Sequence, residues 1–455
     1  MAHSARNTAA AASHPATGSV SPLGAGINLV NTIIGSGVLA LPYALREAGF
    51  YFGILVLIAA ALLSNLALNL LIYSGRRQSQ YKYEDAASAA LGRPGHYLLA
   101  FALTTNSIGS CISYLIIIGD LGAALVEFLC GATGASSWWA SRQAVILISA
   151  CILTLPLLFF RTLEPLVRPS AISVLCMPVI VLIVAIRAPA YTVPDHPAPT
   201  PVWGPSILPA IGVIAFAYAC AQTSFQSYQT LAHKTLDAWT TATRFATTLA
   251  MVIYVAFAVI SYRAFGLETQ PNLLNNFASD DGLANVARGL LAFSLALTYP
   301  MQFYPIRDLF ADALGISIDT SPAKVHGLSL VLFAGTVATA MAVKDLGFVF
   351  KLIGTAAASL LVFGLPGVIY LGLASPYRAL WLGKREDGGA AIAIEGQPLL
   401  PQPATSNSQE DGDGSGDRAR IPEPSTSIMS LVLVLLGAGV FVIGTWSAIR
   451  EYVAE

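Results

Sequence analysis

Eleven long apolar runs constrain this chain of 455 residues more than any other feature. The hydrocarbon core of a bilayer takes about 20 mostly apolar residues per helix. Runs of that kind recur at 23–45, 50–73, 96–128, 142–160, 169–187, 206–230, 238–262, 284–304, 325–343, 346–373 and 428–449. Backbone polar groups surrounded by lipid must bond internally, so such runs fold as helices. The expected class is an all-α polytopic membrane protein with eleven transmembrane helices. The run at 96–128 is kept as one helix because no turn signal interrupts it, with Asp120 and Glu127 near its far end. Composition agrees: charged residues make up 11%, against roughly 25% in soluble chains. A formal net charge of −1 leaves no electrostatic footprint for nucleic acid. The five cysteines, Cys111, Cys130, Cys151, Cys176 and Cys220, form no CxxC pair and lie in or beside apolar runs. They read as small hydrophobes rather than disulfide partners or metal ligands.

The expected organisation follows. Residues 1–22 form a disordered tail without the apolar stretch of a signal peptide. Residues 23–373 form a ten-helix core, 374–427 a disordered loop rich in Pro, Gly, Ser and acid, 428–449 the last helix and 450–455 a short tail. The stretch YKYEDAASAALG reads as a short surface helix ended by Gly92 and Pro94. Lysines and arginines divide 16 to 8 when the N-terminus is cytoplasmic, and 11 to 8 without the long loop. That bias sets the N-terminus inside.

The segment Gly26–Ala44, GINLVNTIIGSGVLALPYA, carries two asparagines and Gly-Ser-Gly at its centre. Gly35 and Gly37 each cost about 1 kcal/mol relative to Ala within a helix. If Gly35, Ser36 and Gly37 unwind, the N–H groups of Ser36 to Leu39 become donors at a new helix N-terminus suited to a carboxylate. Asn28 and Asn31 share a face and could offer carbonyl oxygens to a cation. The plainer alternative is that the small residues only let helices pack closely. A second interruption falls in IAFAYACAQTSFQSYQT, where Tyr218 and then Gln222, Thr223, Ser224 and Gln226 follow an apolar start. Here the plainer alternative is the cytoplasmic end of a shorter helix. Two interrupted spans five helices apart match the pattern of an inverted five-plus-five repeat.

Asp120 sits within an apolar run, where a carboxylate normally faces a cavity or a partner. It could carry a proton or act as a structural acceptor. Ser294 and Thr298 are four apart on one helix face and could ligate a cation, although such hydroxyls more often bond their own i−4 carbonyl. Lys344 and Asp345 read as a surface pair, and Lys351 as a side chain that snorkels to the interface.

At these residues the chain resembles the amino acid/auxin permease family. The resemblance runs over most of residues 20–375, through NLVNTIIGSGVLALPYALREAGF, YEDAASAALGRPG, SYLIIIGDL, AVISYRAFG, LLNNFASDDGLANVARGLLAFSLALTYPMQFYPIRDL and GTAAASLLVFGLPGVIYL. It is similar to the vacuolar and the sodium-coupled neutral amino acid transporters. The resemblance implies a LeuT-type 5+5 inverted repeat plus one extra helix, and secondary transport of amino acids driven by protons or sodium, with no other cofactor. It implies a substrate site at Asn31, Ile34, Gly35, Ser36, Gly37, Tyr218 and Gln222. It further implies a cation site at Asn31 with Ser294 or Thr298, to which Asp120 is added from its intramembrane position. One departure stands out: Cys220 is followed by Ala221, where the family often has histidine.

Glu395 with Leu399 and Leu400 fits an acidic dileucine sorting signal on the cytosolic side, which favours a vacuolar or lysosomal-type membrane over the plasma membrane. An enzyme is disfavoured, since the chain carries no HExxH zinc motif and Ser36 lacks the glycine two residues earlier that a rhomboid-type GxSG needs. A membrane sensor that binds amino acids with little flux, signalling through the cytoplasmic segments, is the alternative function.

Overall fold

The first apolar run does not make one helix. Ser21 caps it, its side chain accepting from Gly24 N–H, and Pro22 takes the first helical position. Helix α1 (Pro22–Ile33) then stops; a 3-10 turn, Ser36–Ala40, and α2 (Leu41–Ala48) continue at an angle of 52°. The computed structural model describes residues 20–135, 138–160, 167–192, 198–316, 322–374 and 424–454. Within them follow α3 (Phe50–Arg77), α4 (Tyr83–Ala135), α5 (Arg142–Leu158), α6 (Val167–Arg187), α7 (Ile207–Ala217), α8 (Ser224–Gln229) and α9 (Leu236–Phe265). The last four are α10 (Gly282–Ala313), α11 (Pro322–Ala342), α12 (Leu346–Leu373) and α13 (Thr426–Ala454).

Among the described residues, eight helices are long and apolar enough to cross a bilayer, and the bent α1–α2 pair raises the number to nine. Two shorter apolar helices, Arg142–Leu158 and Leu175–Tyr191, accompany them. The protein is an all-helical, multi-pass membrane protein.

Several local expectations change. The run at 96–128 lies within one helical stretch of α4, bounded by non-helical backbone at Gly92 (φ +68°) and Gly131 (φ +67°), so the segment before it ends at Gly92 as expected. That preceding helix packs one face onto the core. Ala86, Ala87 and Ala90 give it a smooth buried face, and the Tyr83 hydroxyl donates to the Leu361 carbonyl at 3.1 Å. Helix α13 extends beyond 428–449 at both ends. Most of the 374–427 loop, including Glu395, Leu399 and Leu400, lies outside the described residues, as do residues 1–19.

Packing sets the two interrupted helices side by side. Helix α1 lies along α9, which in turn packs on α3, and α7 is held between α2 and α12. The α7–α12 crossing needs glycine, since a Cβ on Gly354 would fall 2.2 Å from the Gly212 carbonyl carbon. Helix α12 also carries two π-helical stretches, Gly354–Ala358 and Leu360–Gly364.

Lys351 does not snorkel. Its ammonium reaches Glu47 at 2.7 Å and Glu451 at 2.9 Å, joining α2, α12 and α13. A carboxylate buried on α2 offers stronger compensation than the interface does. Asp345 caps α12, accepting from Gly347 N–H at 2.8 Å and Phe348 N–H at 3.0 Å. The expected pairing with Lys344 is therefore displaced by a capping role.

Candidate functional site

The second interruption mirrors the first. Helix α7 ends at Ala217, Tyr218 to Cys220 are non-helical, and a 3-10 turn, Ala221–Thr223, leads into α8. The two breaks touch: a Cβ on Gly37 would come within 2.9 Å of the Ala217 Cα. Gly37 is thus a packing residue. Gly35, two positions earlier, is different, because a Cβ there would meet nothing within 4 Å. Close packing thus accounts for Gly37 and not for Gly35.

Unwinding frees fewer donors than the four expected. Val38 N–H bonds the Gly35 carbonyl at 3.2 Å and Gly35 N–H bonds the Ile33 carbonyl at 2.8 Å, which leaves the N–H groups of Ser36 and Gly37 without a backbone acceptor among the described residues. They open the 3-10 turn that leads into α2, where partial positive charge collects. On the other side of the break the chain presents the C-terminal carbonyls of α1 and α7. The site therefore has a donor side and an acceptor side made of backbone alone.

The side chains around it are polar and uncharged. The Tyr218 hydroxyl and the Gln222 Oε1 are buried without a hydrogen-bond partner among the described residues. Leaving such groups unpaired costs about 1–3 kcal/mol each, so they mark places where a ligand's polar atoms fit. Tyr218 packs edge-on against Tyr254 of α9, ring centroids 5.1 Å apart. The Tyr114 hydroxyl of α4 interacts with the side chains of Ser36, Thr298 and Gln302, bringing α4 and α10 to the first break. Thr223 and Ser224 are spent locally, on the carbonyls of Cys220 and Ala221.

The remaining expected residues divide. Thr298 back-bonds to the Ser294 carbonyl at 3.0 Å, and the Ser294 hydroxyl donates to the Ser173 carbonyl of α6 at 3.3 Å. Asn31 is half-buried and Asn28 exposed on α1, a helix that packs on α9. Ile34 is buried at the end of α1. Asp120 is an ion-pair partner: Arg142 Nε donates to it at 2.5 Å while the same guanidinium reaches the Val343 carbonyl at 3.3 Å. A depression of about 400 Å³ there is lined by Asp120, Arg142, Asn272, Asn275 and Lys344. Arg142 thus gives Asp120 an ion-pair partner.

Sequence reasoning passes over Tyr114, Gln302 and Tyr254. Tyrosines in apolar runs look like core, and only the structure shows that their hydroxyls converge on the breaks. Another depression, about 470 Å³, is elsewhere, around Tyr43, Glu47, Ser206, Lys351 and Glu451, where the charges neutralise one another. It lies at one end of the broken pair. Backbone bonds close the same end: Phe50 N–H to the Pro201 carbonyl (2.8 Å), Gly204 N–H to Ala48 (2.8 Å) and Ser206 N–H to Glu47 (2.9 Å). The opposite end is closed by Val20, which bridges to Leu231 beyond α8.

Comparison with known proteins agrees with this architecture. Residues 18–385 match the family model described as transmembrane amino acid transporter protein. The chain is 31% identical over 368 residues to the mouse protein named "Putative sodium-coupled neutral amino acid transporter 11", covering 80% of this chain and 81% of that one. Its zebrafish namesake is 29% identical over 361 residues, covering 79% and 80%. Vacuolar amino acid transporter 2 of Saccharomyces cerevisiae is 26% identical over 354 residues, covering 75% and 74%.

Proposed function

The chain belongs to the transmembrane amino acid transporter protein family, and on that premise we propose that it is a secondary active transporter of a neutral amino acid, driven by a proton or sodium gradient. It is a membrane transporter and not an enzyme. The finer reading is alternating access around the paired breaks, within eleven spans arranged as a LeuT-type five-plus-five inverted repeat with one further helix.

One observation carries this reading. Two helices break at the same level, with unbonded N–H groups on one side, C-terminal carbonyls on the other, and neutral side chains all round. A zwitterion is the ligand such a site can hold without burying net charge. Its carboxylate goes to the N–H groups of Ser36 and Gly37 and its ammonium to the carbonyl ends. Tyr218 and Gln222 meet a polar, uncharged side chain, and Ile34 and Gly35 bound the space. A charged substrate side chain would find no counter-ion, which fits the neutral substrates in the names of the mouse and zebrafish relatives.

For the coupling ion we assign Asn31, Ser294 and Thr298 as oxygen donors; Asp120 is held by Arg142 in this conformation. No other cofactor is assigned. The vacuolar name of the yeast relative and the Glu395, Leu399 and Leu400 motif support a vacuolar or lysosomal-type membrane.

The test is uptake of radiolabelled neutral amino acids into proteoliposomes with a proton gradient, a sodium gradient or none. Uptake that follows one gradient and vanishes in Gly35→Leu supports the reading and names the ion. Specific binding with no uptake under any gradient replaces it with an amino acid sensor.

A further inference from the structure

Tyr254 makes a contact that ordinary core packing does not require. It is wholly buried on α9, and its hydroxyl lies 2.5 Å from the Ile33 carbonyl and 2.9 Å from the Ala217 carbonyl. Those are the last residues of α1 and α7, the two helices that break. A buried tyrosine needs one acceptor for its one proton. This one has two, and each is a helix-terminal carbonyl that its own helix leaves unpaired. The Ile33 carbonyl also accepts from Gly35 N–H at 2.8 Å, so losing its share of the tyrosine proton still leaves it a donor. The Ala217 carbonyl has no such second donor among the described residues.

The helix that carries Tyr254 is itself anchored. Trp239 Nε1 donates to the Leu68 carbonyl at 3.2 Å, and Asn69 bonds both Thr240 and Thr243, fixing α9 to α3. Threonines elsewhere on α9 spend their hydroxyls on their own helix, Thr241 on Asp237 and Thr247 on Thr243. Tyr254 alone among these reaches across to the breaks.

We propose that Tyr254 is a positioning residue: it holds both broken helices in register by sharing one hydroxyl proton between the Ile33 and Ala217 carbonyls, and it yields the Ala217 carbonyl to the ammonium group of a bound amino acid. On binding, the tyrosine hydroxyl donates to the Ile33 carbonyl alone and the substrate ammonium replaces it as the donor to Ala217. No proton is transferred, and both carbonyls remain hydrogen-bonded before and after binding. The proposal rests on the amino acid transport reading for its ligand, while the clasp between helices stands on geometry alone.

The test uses Tyr254→Phe in the full chain, which keeps the ring and removes the hydroxyl. For the neutral amino acid with the highest uptake, KM should rise about tenfold with Vmax within about twofold, a loss specific to binding. The matching 2-hydroxy acid, in which a hydroxyl replaces the ammonium, should inhibit wild type and variant within about twofold of each other. Equal losses for both compounds, or no loss for either, overturn the proposal. A second readout does not depend on transport. Spin labels at Asn28→Cys and Val202→Cys, both exposed positions, report the distance across the clasp once exposed Cys130 and Cys151 are replaced by serine. The distance distribution should broaden in Tyr254→Phe. An unchanged distribution refutes the clasp even if wild type carries no amino acid, an outcome that would sink the transport reading separately.

Discussion

The two ends of the broken-helix pair are closed by different physics. At the Glu47 end, Arg46 pairs with Glu47 at 2.8 Å, Glu47 with Lys351 at 2.7 Å and Lys351 with Glu451 at 2.9 Å, and the Ser206 hydroxyl donates to Glu451 at 2.7 Å. Three helices and the strap before α7 meet in that network. At the Val20 end, two backbone bonds join the lead-in of α1 to the chain beyond α8: Val20 N–H to the Thr230 carbonyl at 3.0 Å and Ala232 N–H to Val20 at 2.9 Å. On the alternating-access reading proposed above, opening either end must break its own set. In this conformation more fastenings lie at the Glu47 end than at the Val20 end.

The largest expected effect comes from breaking the charged end. Lys351→Met leaves the Glu47 carboxylate, almost fully buried, with Arg46 alone, and Glu451 with hydroxyl donors only. Removing one partner of a buried network costs about 3–5 kcal/mol. The melting temperature in detergent should fall by several degrees, and adding Glu47→Gln should recover part of the loss. A melt indistinguishable from wild type would show that the network is not what shuts this end.

Between the ends, Gly37 and Gly35 offer a sharper contrast within three residues. Gly37→Ala drives a methyl against the Ala217 backbone at 2.9 Å, and overpacking of this kind costs about 1–3 kcal/mol. Gly35→Ala should leave the melt unchanged, because φ is −110° and its Cβ faces open space. Gly35→Leu should keep the fold and abolish uptake by filling that space. If Gly35→Leu also unfolds the protein, the cavity assigned to Gly35 is wrong.

These contrasts show what is legible in the sequence. The membrane class and the two interruptions can be read because lipid penalises Gly-Ser-Gly and Gln-Thr-Ser within apolar runs, so residues of that kind face protein or a cavity. The partner of each polar residue cannot be read. Lys351 looks like an interfacial lysine because its acceptors, Glu47 and Glu451, are about 300 residues before it and 100 after it. Asp120 looks isolated because Arg142 lies on the next helix, and only packing brings it to 2.5 Å. Tyr254 carries no signal at all, since one hydroxyl in an apolar helix resembles any other core tyrosine until its acceptors are seen.

Acid should separate the two ends more gently. In the loop that Arg46 touches through the Thr269 carbonyl, Asp281 caps α10 and pairs with Arg187 at 2.7 Å. Burial alone would raise its carboxyl, but hydrogen bonds from Arg187, the Ala284 N–H and Tyr191 outweigh burial and hold it below the ordinary range. A depressed native value means the stabilisation is complete above the unfolded value of about 3.9 and is lost as pH falls through the lower native one. Wild type should lose more melting temperature than Asp281→Asn as pH is lowered through that window. Parallel losses in both would remove Asp281 from the account.

The smallest effect is expected where backbone bonds act without charge. Val20→Pro deletes the N–H that bonds Thr230 and leaves the bond from Ala232 N–H to residue 20 in place. One net hydrogen bond is worth about 1 kcal/mol, so the global melt should barely move. Local opening should nonetheless become about fivefold more frequent, because 1 kcal/mol corresponds to that factor. Amide hydrogen exchange at Ala232 reads it directly, and the rate should be insensitive to salt, whereas exchange around Phe50 and Gly204 should quicken with salt in a Lys351→Met background no more than in wild type. Faster exchange at both ends in Val20→Pro would mean that the broken pair moves as one body, and the contrast between its ends would then describe its fastenings but not its motion.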